Sequence, residues 1–243
     1  MCTVSYIPLG ENVIITSNRD EQHGRPPAMV PAVYSLSTGK LLFPKDVQAG
    51  GTWFGVHENR QAIVLLNGAR QRHESSGPYR KSRGLVLLDM LDHPAPAERF
   101  SEIHLDGIEP FTAIVWSDNK LFECRWDGAG KEFGQMDSTI PHIWSSATLY
   151  DEKASAKRQQ WFSQWLGENP APSQDDVLDF HHYNGHGDHH DGILMNRNGL
   201  VYTVSVSSIQ LSASTVVFKY LDVQNHRSYL QEMSLSKTIA AKP

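Results

Sequence analysis

The chain has 243 residues, 40% hydrophobic and 20% charged, an ordinary globular composition that excludes extended disorder. Its 22 Lys and Arg against 27 Asp and Glu give a net charge of −5, so no broad basic face is available for phosphates and nucleic acid is not an expected partner. No apolar run approaches the ~18 residues that span a bilayer, the N-terminus has no basic-then-apolar signal pattern, and the two cysteines, Cys2 and Cys124, are too few for a disulfide framework; the expectation is a cytoplasmic protein with no integral membrane segment.

Residues 2–8 (CTVSYIP) and 12–16 (NVIIT) are rich in β-formers and flank Leu9-Gly10, which predicts a hairpin. The prolines of 24–31 (GRPPAMVP) fix φ and remove donors, so no regular structure is expected there. A second hairpin is predicted over 50–67, turning near Glu58-Asn59-Arg60. Leucine spacing over 82–93 predicts a helix that the following HPAPA stops, with 94–96 in a loop. FTAIVW (111–116) and LFECRW (121–126) predict a third hairpin. Asp151 opens a helix with acids in its first turn, aromatics at helical spacing and Gly167 near its end, and a shorter helix is expected at 173–181. Strands return in GILMN, GLVYTVSV, STVVFKYLDV and near 227–234. Strand runs framing helices, without βαβ alternation, indicate an α+β protein with mainly antiparallel sheets. No repeat or low-complexity block divides the chain, so a single domain over 1–243 is expected.

Three clusters carry chemistry. Removal of Met1 would leave Cys2 with a thiol beside an α-amine whose ordinary pKa is about 7.7–8.0, a base able to take the thiol proton. The alternative is an inert strand cysteine. In SNRDE (17–21), Arg19 is suited to a thiolate or carboxylate and Asp20 to an ammonium; the first hairpin brings both near Cys2, although adjacent strand residues point to opposite faces. The alternative is a solvated salt bridge at a strand end. Five histidines, His181, His182, His186, His189 and His190, crowd FHHYNGHGDHHD (180–191), either as a polar loop or as ligands for a metal or haem. Their spacing does not match a zinc helix, and no C-x-x-C-H occurs. Gly50-Gly51-Thr52-Trp53 either lets backbone approach a ligand, with Trp53 as an apolar wall, or turns tightly into a strand. Arg80, Lys81 and Arg83 stand at a helix start, against the dipole, as an anion contact or an exposed basic face. Trp161, Phe162 and Trp165 are expected to pack between helix and sheet.

The blocks MCT, TSNRDE, AGGTWFGV (49–56), LLNGA (65–69), KSRG (81–84), IWSSATLY (143–150) and MNRNGLVYTVSVSSI (195–209) together resemble the NRDE family, also called TANGO2-like, in its bacterial-type members that carry PKD (44–46). The resemblance implies an Ntn-hydrolase-like fold, a four-layer αββα sandwich with two mainly antiparallel sheets. It implies Cys2 as a nucleophile attacking a C–N amide, with Arg19 and Asp20 orienting it and Asn67 as oxyanion donor. Asn18, Trp53, Ser146 and Arg83 are the implied ligand contacts, Ser146 offering a hydroxyl where a second amide donor is expected. Hydrolysis of this type needs no cofactor. The partner would be a small-molecule amide or, through the family's link to haem handling, haem, whose propionates would meet Arg19 or the 80–83 cluster.

Overall fold

The computed structural model describes residues 3–75, 77–183 and 187–236. β1 (Thr3–Leu9) and β2 (Asn12–Gln22) form the first hairpin, with Gly10 turning at φ +64 and the register running from Thr3↔Asn18 to Leu9↔Asn12. β2 outruns the expected strand because its far end pairs with β12 (Val201–Leu211) as far as Gln22. β3 (Met29–Ser35) corrects the expectation of an irregular segment. It is the edge strand of its sheet, and Pro31 falls in the register break between Met29 and Ala32, where a missing N–H costs least.

β4 (Lys40–Lys45), β5 (Phe54–His57) and β6 (Ala62–Asn67) follow, the last two as the expected hairpin. α1 (Arg83–Leu91) begins where Ser82 accepts from the Leu85 N–H, the usual satisfaction of an orphan helix donor. The loop expected at 94–96 instead opens α2 (Pro96–Glu102), since a proline in the first turn has no helical donor to lose. β7 (Phe111–Ser117) and β8 (Lys120–Trp126) close around Asp118 and Asn119, both at positive φ, as a two-residue hairpin requires. β9 (Lys131–Met136) and β10 (His142–Ser145) precede α3 (Glu152–Glu168), capped by Asp151, and α4 (Gln174–Tyr183). Of the strand expected at GILMN only its last residue is extended, in β11 (Asn196–Arg197); β13 (Thr215–Asp222) and β14 (Arg227–Ser234) complete the chain.

The pairings build two seven-stranded antiparallel sheets. One has the order β10-β1-β2-β12-β13-β14, with β11 on β12; the other runs β3 to β9 in sequence. Alternation along β1 and β2 divides their side chains between two cores. Val4, Tyr6, Val13 and Ile15 meet the second sheet, while Ile7 and Ile14 pack with Phe162, Val177 and Phe180 of α3 and α4. Trp161 and Trp165 lie against this smaller core, as expected. α1 and α2 cover the other face of the second sheet, burying Leu87, Met90 and Phe100. The result is the four-layer αββα sandwich, and rings meet between its sheets at Phe54–Phe218, 5.5 Å apart.

Candidate functional site

Odd-numbered residues of β2 turn toward the second sheet, so Arg19 and Glu21 project into the end of the sandwich where β6 finishes at Asn67. A cleft of about 390 Å³ opens there, lined by Arg19, Trp53, Asn67, Lys81, Arg83 and Glu109, among others. Two motifs form one of its walls. Gly51 and Gly84 approach so closely that a Cβ on Gly51 would sit 2.3 Å from the Gly84 carbonyl carbon, and the Thr52 N–H donates to the Gly84 carbonyl at 3.3 Å. Of the glycines in AGGTWFGV, Gly51 makes the close contact with the first turn of α1, while Gly50 turns at φ +72 and Gly55 packs against Leu91. The Gly51–Gly84 contact brings Trp53 and Arg83 to the same cleft.

The charges inside are paired. The Arg19 guanidinium donates to Asp46 at 2.8 Å, lies 3.2 Å from Glu21 and rests 4.4 Å over the Trp53 ring. Arg25 donates to the same Asp46 oxygen at 2.8 Å, and the N–H groups of Gln48 and Ala49 occupy the other oxygen. Burial opposes the Asp46 charge, but the Ala49 N–H and the Arg25 and Arg19 guanidiniums outweigh it and hold the carboxyl below its ordinary range. Arg83 pairs with Glu109 at 3.0 Å, whereas Lys81 stands 3.5 Å from Asp89 at the rim. The Trp53 indole N–H is buried with no partner among the described residues. Arg80 is tied to the carbonyls of His104 and Asp106 and does not line the cleft.

Of the residues singled out in the sequence, Arg19, Trp53, Asn67 and Arg83 share the cleft. Ser146 is buried beside it, its hydroxyl donating to the Asn67 carbonyl at 2.8 Å and meeting Thr148 Oγ1 at 2.9 Å. Asp20 and Asn18 point to the other face, as alternation requires. Asp20 accepts from Thr203 at 2.6 Å and from Tyr150 at 3.1 Å. Asn18 donates to the carbonyls of His181 and Ile193, both at 3.0 Å, and its oxygen meets His181 Nδ1. Cys2 lies outside the described residues. Thr3 pairs with Asn18 on one side and with Ser145, the last residue of β10, on the other; Arg19 follows Asn18 on β2 and Ser146 follows the end of β10.

The histidine cluster divides. His181 is fully buried on α4, not in a loop; His189 and His190 are exposed; His186 lies outside the described residues. Among the described residues no group of three or more His, Cys, Asp or Glu could hold a metal ion, and no helix is long and apolar enough to cross a membrane. Glu109 and Arg158 belong to none of the clusters visible in the sequence. The latter is wholly buried, bonded to Thr3 Oγ1 at 2.6 Å and 3.4 Å over the Tyr150 ring. Its position between Ala154 and Phe162 on the buried face of α3 was the available signal.

The family described as Transport and Golgi organisation 2 (TANGO2) matches residues 1–181, nearly three-quarters of the chain. The chain belongs to the TANGO2 family. No curated protein matches it significantly. Solved structures match its fold. An N-acylethanolamine-hydrolyzing acid amidase ortholog from Caenorhabditis elegans aligns with TM-score 0.58 and 14% identity, over 86% of this chain and 92% of that one. Two singly substituted forms of conjugated bile acid hydrolase from Clostridium perfringens align with TM-score 0.60 and 11% identity. One covers 98% of this chain and 97% of its own, the other 99% and 100%. These neighbours have the Ntn-hydrolase fold, so this TANGO2-family chain has that fold too.

Proposed function

We propose that this TANGO2-family protein hydrolyses a C–N amide bond of a small molecule in the Arg19–Asn67 cleft, with Cys2 as nucleophile once Met1 is removed. The observation that carries this reading is the register at the start of β1. Thr3 is held between Asn18 and Ser145; the neighbouring Arg19 lines the cleft with Asn67, and the neighbouring Ser146 bonds the Asn67 carbonyl beside it. That two of the similar folds belong to an acid amidase and a bile acid hydrolase supports it further.

In this mechanism the α-amine takes the thiol proton and the thiolate attacks the amide carbon. The intermediate collapses by breaking the C–N bond, and the amine returns the proton to the departing nitrogen. Water then cleaves the thioester and restores the thiol. The Asn67 amide, which has no hydrogen-bond partner among the described residues, serves as oxyanion donor, and removing such a donor costs about 10²–10³ in turnover. Ser146 spends its hydroxyl on the Asn67 carbonyl, so its part is to hold Asn67 in place.

The competing thiol is silent. Cys124 is fully buried, and burial with the nearby Glu123 pushes its pKa up to about 12. Fast alkylation of the folded protein by iodoacetamide therefore reports Cys2. Intact mass should show Met1 removed, the alkylation rate should follow a thiol pKa below the ordinary ~8.5, and Cys2→Ala should abolish both alkylation and turnover of a fluorogenic amide panel. Retention of Met1 on the purified protein would end the amine–thiol mechanism. A second reading, haem binding and trafficking, rests on the cations Arg19, Arg25, Lys81 and Arg83 lining the cleft beside Trp53, and it requires propionates to displace the carboxylates that now pair with them. It requires a saturable Soret shift that survives Cys2→Ala and weakens in Arg83→Ala.

A further inference from the structure

The start of β1 is held from the face opposite the cleft by a cation that the cleft does not contain. Alternation turns Val4 toward the second sheet and Thr3 toward the helices, where Thr3 is fully buried and its Oγ1 accepts from Arg158 Nη1 at 2.6 Å. Arg158 projects from the buried face of α3. Its Nε donates to the Asp191 carbonyl at 2.9 Å, its Nη2 donates to the Gly192 carbonyl, and the guanidinium lies 3.4 Å over the Tyr150 ring. One side chain thereby ties the first residue of β1 to α3 and to the segment that precedes β11.

The groups that solvate this guanidinium are neutral: two carbonyls, a hydroxyl and a ring face. No carboxylate stands within ion-pair distance of it among the described residues. The charged groups nearby are committed elsewhere. Asp20 accepts from the Thr203 and Tyr150 hydroxyls, and Asp191 pairs with Arg197 at 3.3 Å. His181 is neutral, its pKa lowered by burial first and by the Arg158 charge second, so that charge is felt by its neighbours. Arg19, on the cleft side of the same strand pair, differs because Asp46 and Glu21 neutralise it. A guanidinium buried without a counter-ion projects its field further than one locked in an ion pair. The residue bonded to Thr3 is Cys2, whose thiol is the group that such a field favours as an anion.

We propose that Arg158 is a positioning residue for Cys2, clamping Thr3 so that the start of β1 stays fixed and favouring the thiolate through its unneutralised charge. This role deepens the reading of Cys2 as nucleophile and rests on it. The titration of the thiol is measured without turnover, so hydrolysis and the role of Arg158 fail separately.

The test is the rate at which iodoacetamide alkylates Cys2 in the full chain as a function of pH, with the buried Cys124 as a slow internal control of folding. The parent rate should inflect below the ordinary thiol value of ~8.5. Arg158→Met and Arg158→Gln should raise the inflection by about one pH unit and slow alkylation at pH 7 about tenfold. Arg158→Lys keeps the charge and should titrate close to the parent. A purely structural arginine would lower the melting temperature in all three variants and leave the inflection in place. A measurement on the parent alone guards against variants that do not fold: molar salt should leave its inflection unchanged, because a buried charge is poorly screened. The proposal is overturned if the parent thiol titrates at or above its ordinary value or if salt abolishes the depression. It is also overturned if the folded neutral variants titrate as the parent does, or if Arg158→Lys is displaced as far as they are.

Discussion

His181 is fully buried on the helix-facing side of β1 and β2, and its protonation state follows from its neighbours. The Asn18 amide nitrogen serves two carbonyls, which fixes its oxygen against His181 Nδ1. Nδ1 must then carry the proton, and Nε2 accepts from the Ser5 hydroxyl at 2.8 Å. Burial, and secondarily the charge of Arg158, hold this imidazole neutral and lower its pKa to about 3. An unfolded histidine takes a proton near pH 6.5, so the unfolded chain binds more protons throughout the window between those two values. Stability is complete above it and falls as pH drops through it. His57, whose pKa burial also lowers, acts in the same direction. From about pH 6.5 to 5, His181 alone should remove roughly 2 kcal/mol, and urea unfolding should show that slope reduced in His181→Gln. The inward turn of Arg19 on β2 was readable because hairpin register is local, whereas Asn67 was marked only by the family resemblance. The Ser5–His181–Asn18 cluster was not readable, since its members meet across as many as 176 residues of sequence. A histidine-rich stretch looks the same whether one ring is buried or all are solvated.

At the scale of elements, the join between the β5 lead-in and α1 holds the cleft wall. A methyl on Gly51 would meet the Gly84 backbone at 2.3 Å, and one on Gly84 would meet the Thr52 carbonyl oxygen at 2.7 Å. Backbone cannot rotate aside as a side chain can, so Gly51→Ala and Gly84→Ala should each cost about 1–3 kcal/mol or more in denaturant unfolding and displace Trp53 from Arg19. Gly167 provides the control. It lies in α3 with nothing within 4 Å of its would-be Cβ, and Gly167→Ala should stabilise by about 0.5–1 kcal/mol. Elements with a buried face and a cap or tight turn were legible: β1–β2, β7–β8, α1, α3 and α4. Those that escaped lacked such marks. β9 (KEFGQM) is almost wholly exposed and shows no apolar alternation, and β10 has only four residues. The prolines of β3 and α2 read as breakers in sequence, yet they occupy an edge and a first helical turn, the places that tolerate them.

Across the whole molecule, the Arg19 cleft exists only while the two sheets keep their relative position. Arg19 and Ser146 come from one sheet and its margin, Asn67 and Trp53 from the other and its loops. Residue pattern showed which strand positions point inward, but not which inward residue faces which. The four-layer order was implied by the family resemblance, and the packing of α1 and α2 on one sheet and α3 and α4 on the other bears it out. Phe54 and Phe218 measure how firmly the sheets are joined, since both are fully buried and their rings are 5.5 Å apart at 49°. Each truncation to alanine should cost about 3–5 kcal/mol. Because the two rings share one contact, the double variant should lose less than the sum of the singles, with a coupling of about 0.5–3 kcal/mol. Simple additivity would mean that each ring is held by its own sheet and helices, and that the inter-sheet contact contributes little. The cleft would then depend for its geometry on the Arg19–Asp46 ion pair and the Ser146–Asn67 hydrogen bond, the polar links that cross between the sheets beside it.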